Sequence, residues 1–167
     1  MDQLHKNRDT EGTEEFLLEA FLPYELSVAA NHTSRLFARH YSKEFGLSIA
    51  EWRVMAVVGR LGDISPGGVA ERTEMDKVKV SRAAASMVAA GLLEQLPDPE
   101  DGRVRRLRLT RRGERVHQAI IPRARALEVL LAEGLSAAEW ETLRHLLRRL
   151  TSYTKRLEET EFTTTPE

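Results

Sequence analysis

Apolar residues recur along this chain at helical spacing in six blocks, interrupted once by a stretch that alternates instead. The first block runs from Leu26 through Ala30, Thr33, Leu36, Phe37, Tyr41 and Phe45, with Pro23 suited to its first turn and Gly46 to its end. Ahead of it, Phe16, Leu17, Leu18, Ala20, Phe21 and Leu22 suit a short helix or packing across a partner subunit. A second helix is predicted from Ile49 to about Leu61. Ser48 and Glu51 supply its capping box, and Leu47 with Trp52 has the offset of a hydrophobic staple. The same device returns as Gly134-Leu135-Ser136-Ala137-Ala138-Glu139-Trp140, which starts the last helix, Ala137 to about Arg156. Because the residues after the two copies differ, this is one way of starting a helix used twice.

Between these lie a short extended piece near Ile64, a helix begun by Ser65-Pro66 and running to about Arg72, and a break at Thr73-Glu74-Met75. Asp76 then caps a helix from Lys77 to about Ala90, and Gly91 stands where a helix stop wants a left-handed residue. Two short helices joined by a tight break form a helix-turn-helix pattern, although a plain helical hairpin has similar spacing. The residues after Gly91 sharpen the choice. Pro97-Asp98-Pro99-Glu100-Asp101-Gly102 reads as a turn, and Arg103-Val104-Arg105-Arg106-Leu107-Arg108-Leu109-Thr110 as a strand beginning just after it. Thr110 caps the next helix, which runs to about Glu133 with a kink expected between Ile120 and Pro122.

The fold class expected is therefore mainly α with a small β-hairpin, a winged helix-turn-helix. Residues 49–110 form the winged unit, and 23–48 with 111–158 a helical layer for dimerisation. Residues 1–22 make a partly disordered arm and 159–167 a disordered tail. Trp140, Leu143, Leu147, Leu150 and Leu157, with Leu146 and Tyr153 beside them, form the seam assigned to that layer. An intramolecular bundle would use the same periodicity.

Charge adds direction to this frame. The net charge is −1. Yet from Arg103 to Arg125 arginines are opposed by the single acid Glu114, whereas both ends of the chain are acidic. Such a patch is the footprint of a polyanion-binding face, or simply a solvated surface. The chain has no cysteine, which excludes disulfides, thiolate catalysis and cysteine-ligated zinc. His5, His32, His40, His117 and His145 are dispersed, with no second histidine three or four residues away. With no glycine-rich phosphate loop or nucleophile elbow, the sequence predicts neither an enzyme nor a metal or cofactor protein. Lacking a signal-peptide pattern or an apolar run of spanning length, it is expected in the cytoplasm.

Several of these pieces together resemble the MarR (multiple antibiotic resistance regulator) family: Gly46-Leu47-Ser48 with Trp52, Val69-Ala70, Ser81-Arg82, Gly91-Leu92-Leu93, and Asp101 with Arg103. Leu107, Leu109-Thr110, Gly113, and Leu135-Ser136 with Glu139 continue the likeness, which covers about residues 26–157. The resemblance implies a homodimer that binds a pseudopalindromic operator on double-stranded DNA and is released by a small-molecule effector. Where the family commonly carries two arginines after the wing aspartate, Gly102 takes the first position, and only Arg103 carries over as a wing-tip cation.

The residues expected on DNA are Lys77, Lys79, Ser81 and Arg82 at the start of the reading helix, whose dipole and free N–H groups would favour phosphate. Arg103 joins them at the wing tip, with Arg106 and Arg108 on the solvent face of the return strand. Asp101 is expected to support the wing by orienting Arg103 or a helix arginine, and Arg82 could instead pair with Glu71 or Glu74. His32, Arg39, His40, Trp52 and Arg53 are the candidate effector contacts, chemistry that suits an aromatic carboxylate. For Trp52 the stronger reading is a packing residue, which the staple already explains. The alternative function is a winged-helix protein-interaction module that does not bind DNA specifically.

Overall fold

The computed structural model describes residues 16–160. The expectations of a disordered start and tail, and His5, lie outside the described residues except where the helices reach in from either side. Leu18–Ala20 make a 3-10 turn, and α1 (Leu22–Phe45) follows with Pro23 in its first turn and Gly46 closing it at φ +68°. Next come α2 (Ile49–Leu61), α3 (Pro66–Thr73), α4 (Lys77–Ala89), the strands β1 (Leu93–Pro97) and β2 (Arg105–Leu109), α5 (Arg111–Ala132) and α6 (Ala137–Glu159). Both expected capping boxes form, Ser48 with Glu51 and Ser136 with Glu139. Each satisfies two N–H groups that a helix start would leave open, which is why the two helices begin where the sequence places them.

Helix α2 is the pillar of the winged unit, packing on α1, α3, α4, α5 and β2. Its Val54, Met55 and Val58 meet Val69 of α3, Val80, Ala84 and Met87 of α4, and Leu93 and Leu107 of the hairpin in one apolar core. Small residues on the inner face of α4, Ala83 and Ala84, let that helix lie close against α2. The hairpin is antiparallel, with Leu93 opposite Leu109 and Gln95 opposite Leu107. A third edge is added at Ile64, whose N–H donates to the Leu107 carbonyl and whose carbonyl accepts from the Leu107 N–H. The extended piece near Ile64 is thus the link that ties the wing to the helices.

Some local expectations are corrected. The return strand starts at Arg105 rather than just after Gly102. The Asp98 carboxylate accepts from the N–H groups of Glu100 and Asp101, and the Asp101 carbonyl accepts from Val104 N–H, so the turn absorbs residues through Val104. For the seam of α6, the alternative of an intramolecular bundle finds no support: α6 contains no buried residue, and Leu143, Leu146, Leu147 and Tyr153 remain 40–53% exposed. Helix α5 runs continuously through Pro122. Helix α6 extends to Glu159, three residues past its expected end.

Candidate nucleic-acid interface

The reading helix α4 separates its residues cleanly by face. Val80, Ala83, Ala84 and Met87 are buried, while Lys77, Val78, Lys79, Ser81, Arg82, Ala85 and Ser86 are exposed. The four residues expected to meet DNA therefore share the outward side. Among the described residues none of Lys77, Lys79 and Arg82 carries an ion pair. The competing assignment of Arg82 to Glu74 fails because Glu74 binds Lys155 of α6, with Nζ to Oε1 at 2.5 Å. Val78, 56% exposed beside these cations, belongs to the same surface and was missed by sequence reasoning. Its signal was an apolar residue out of phase with the buried positions of its own helix.

One expectation about this helix does not hold. Its first N–H groups are not free: the Asp76 carboxylate accepts from Val78 N–H at 2.8 Å and Lys79 N–H at 3.2 Å. Asp76 thereby places a negative charge where a phosphate would otherwise bind. What this end presents to a polyanion is its lysine and arginine side chains rather than an open helix terminus.

The wing sorts its arginines in the same way. Arg103 and Arg105 are exposed and carry no ion pair among the described residues. Asp101 accepts from Arg103 N–H at 3.0 Å through its carboxylate, so it holds the backbone of Arg103 and leaves the guanidinium free. Arg106 and Arg108 differ from expectation. Both point away from the core, but Arg106 is bonded to Asp98, and Arg108 grips Asp63 through Nε and Nη2. Hydrogen bonds from the arginines hold the Asp63 and Asp98 carboxyls below the usual carboxylate range. Asp63 lies 45 residues from Arg108 in sequence, too far for any local spacing rule to pair them.

The proposed effector residues do not converge. His32 is exposed, and Arg39 with His40 lines a shallow depression of about 500 Å³ beside Lys43 and Glu44. His40 Nδ1 lies 2.9 Å from the Leu36 carbonyl one turn back, which fixes the ring. Trp52 and Arg53 instead line a separate cavity of about 180 Å³ between α1 and α2, with Ser34, Phe37 and Tyr41. Trp52 does pack, its ring 4.8 Å from that of Tyr41. Tyr41 is the residue the sequence concealed. Its side chain is fully buried, yet its hydroxyl is the one buried side-chain polar atom without a partner among the described residues. Burial pushes the phenol above its ordinary range, keeping it a neutral donor.

Among the described residues no three histidine, aspartate or glutamate side chains group as a metal-ligand set. No helix among them is long and apolar enough to cross a membrane.

A helix-turn-helix with a cation-bearing reading helix, followed directly by a hairpin with free arginines at its tip, defines the class of winged helix-turn-helix transcriptional regulators. The sequence pattern of the MarR family matches residues 45–104. The chain is 26% identical over 144 residues to the HTH-type transcriptional repressor IacR of Pseudomonas putida, covering 86% of this chain and 84% of IacR. A probable transcriptional regulator from Pseudomonas aeruginosa shares its fold at a TM-score of 0.73 with 28% identity, over 80% of this chain and 99% of that one. BpsR of Bordetella bronchiseptica, solved in work on regulation of its DNA binding by 6-hydroxynicotinic acid, aligns at a TM-score of 0.75 with 23% identity, over 81% and 96% of the two chains. The protein belongs to the MarR family of transcriptional regulators.

Proposed function

We propose that this regulator is a homodimeric, ligand-responsive repressor that binds a pseudopalindromic operator and lets go when a small aromatic acid enters the Tyr41–Trp52 cavity. The observation that carries the reading is the sorting of cations. Among the described residues Lys77, Lys79 and Arg82 on α4 and Arg103 on the wing tip are unpaired and outward, while Arg106 and Arg108 are held by Asp98 and Asp63. The first group, with Ser81, meets the duplex; the second, with Asp101, braces the wing. α4 reads the major groove and Arg103 enters the neighbouring minor groove. Residues 49–110 are the DNA-binding unit, and 23–48 with 111–158 the dimer layer.

The dimer is supported by the apolar side of α6, where Leu143, Leu146, Leu147 and Leu150 with Leu22 and Leu26 of α1 line an open groove of about 740 Å³. A groove of that size and character, left bare on one chain, suits a second copy. The effector class is supported by the aromatic walls of Phe37 and Trp52, the Tyr41 hydroxyl and the neighbouring Arg53. At about 180 Å³ the cavity is below the roughly 300 Å³ at which ligand pockets usually begin, so it suits a single substituted ring. BpsR, regulated by a ring of that kind, shares the fold.

Selection of random duplexes by the purified chain tests the whole reading. The expected result is a pseudopalindrome whose half-sites lie about one helical turn apart, bound by a species of twice the chain mass in sedimentation. Leu147→Glu should yield a monomer that selects nothing. No salt-dependent retention on duplex DNA, and no enriched sequence, would return the protein to the protein-interaction alternative.

A further inference from the structure

Helix α5 carries the chain out of the winged unit, and its first turns are set against that unit by close contacts. One of these is a notch. Gly59 lies within α2, where glycine costs about 1 kcal/mol relative to alanine and no turn requires it. A β-carbon there would stand 2.6 Å from Cε1 and Nε2 of His117 and 2.7 Å from Nδ1. The imidazole thus occupies the space of the missing side chain and sets its polar edge against the backbone of α2.

The cavity beside the ring is lined by Val58, Gly59 and Gly62, by Leu109 and Arg108 of β2, the charge of the latter held by Asp63, and by Glu114 and Gln118 of α5 itself. Among the described residues the ring has no hydrogen-bond partner, and burial holds it below the ordinary histidine range. A cavity of about 250 Å³ opens beside it toward Glu114. A proton on the ring has no protein acceptor in the notch, and Glu114 is the one carboxylate lining the cavity beside it.

We propose that His117 in the Gly59 notch is a proton-sensitive positioning residue: protonation draws the ring out toward Glu114, loosens α5 on α2, and lowers operator affinity as pH falls. The last step rests on the reading that α5 belongs to a dimer layer that sets the spacing of two α4 helices. Acid is then a second release signal, acting away from the Tyr41 cavity.

The test tracks the His117 ring resonance by NMR and measures operator binding from about pH 8 to pH 5.5, for the native chain, His117→Gln and Gly59→Ala. The ring should titrate below free histidine, and native affinity should fall on the order of tenfold more than that of His117→Gln. In Gly59→Ala, where the methyl displaces the ring, His117 should titrate like an exposed histidine. If that variant does not fold, His117→Gln and the native titration still decide. A ring titrating at or above the ordinary value, or a His117→Gln profile matching the native one, overturns the proposal. Absence of any selected operator would overturn the DNA-binding reading instead, leaving the titration and the pH dependence of melting to judge the notch.

Discussion

The Arg108 guanidinium faces the Asp63 carboxylate as a two-pronged pair, Nε to Oδ1 at 2.5 Å with Nη2 on the second oxygen. The pair joins the return strand of the wing to the loop between α2 and α3. Arg106 reinforces it by donating to the Asp63 carbonyl at 3.4 Å while bonded to Asp98. Geometry of this kind restricts where the wing can point. Arg106 and Arg108 are thus ion-paired, where Arg103 and Arg105 carry no ion pair among the described residues.

The salt dependence of binding should therefore distinguish arginines that the sequence cannot rank. Arg103→Ala is expected to flatten the slope of log affinity against log salt by roughly one unit. Arg108→Ala should leave the slope nearly unchanged. Gly102→Arg should steepen it by about one unit, because a side chain at Gly102 meets nothing within 4 Å. Titrations at four or five salt concentrations read all three.

Acid should weaken the base of the wing. The Arg108 hydrogen bond lowers the Asp63 carboxyl relative to the unfolded chain. The unfolded state then binds more protons at low pH. The pair's contribution is present above the ordinary carboxylate range and lost as pH falls through the lowered folded value. Melting temperatures between about pH 7 and pH 2 should drop further in the native chain than in Asp63→Asn. Parallel curves would mean the exposed pair contributes nothing measurable, as many surface pairs do.

Gly113 should tolerate no side chain. A β-carbon there would lie 2.0 Å from the Leu92 carbonyl oxygen, a backbone atom that itself accepts from Thr110 N–H and has little freedom to move. Gly113→Ala is expected to cost about 3 kcal/mol or more in denaturant unfolding. Gly102→Ala, in open space, should fall within about 0.5 kcal/mol of the native chain.

Tyr41→Phe separates stability from ligand binding. Removing a buried hydroxyl that has no partner should leave the unliganded protein unchanged or more stable by about 1 kcal/mol. The same change should weaken binding of a responsive aromatic acid about tenfold, the worth of one good hydrogen bond. Calorimetry against a panel of phenolic and pyridine carboxylic acids measures the second effect. Equal affinity for both proteins would place the ligand elsewhere.

Sequence alone determined what depends on neighbours in the chain. Ser48 with Glu51, Ser136 with Glu139, Asp76 and Gly91 set helix limits because capping and left-handed stops are local chemistry. Lys79 and Arg82, singled out by their charge at the start of a capped helix, do lie on its outward side. Tertiary structure decided the state of each polar group. Whether an arginine is free depends on an acid brought to it by folding, as Asp63 is brought to Arg108. Only packing of α1 on α2 strips Tyr41 of a partner, and only the approach of α5 to α2 gives Gly59 a reason to be glycine. Contacts made across tens of residues leave no period in the chain, so charge and cavity at these sites exist only once the helices have met.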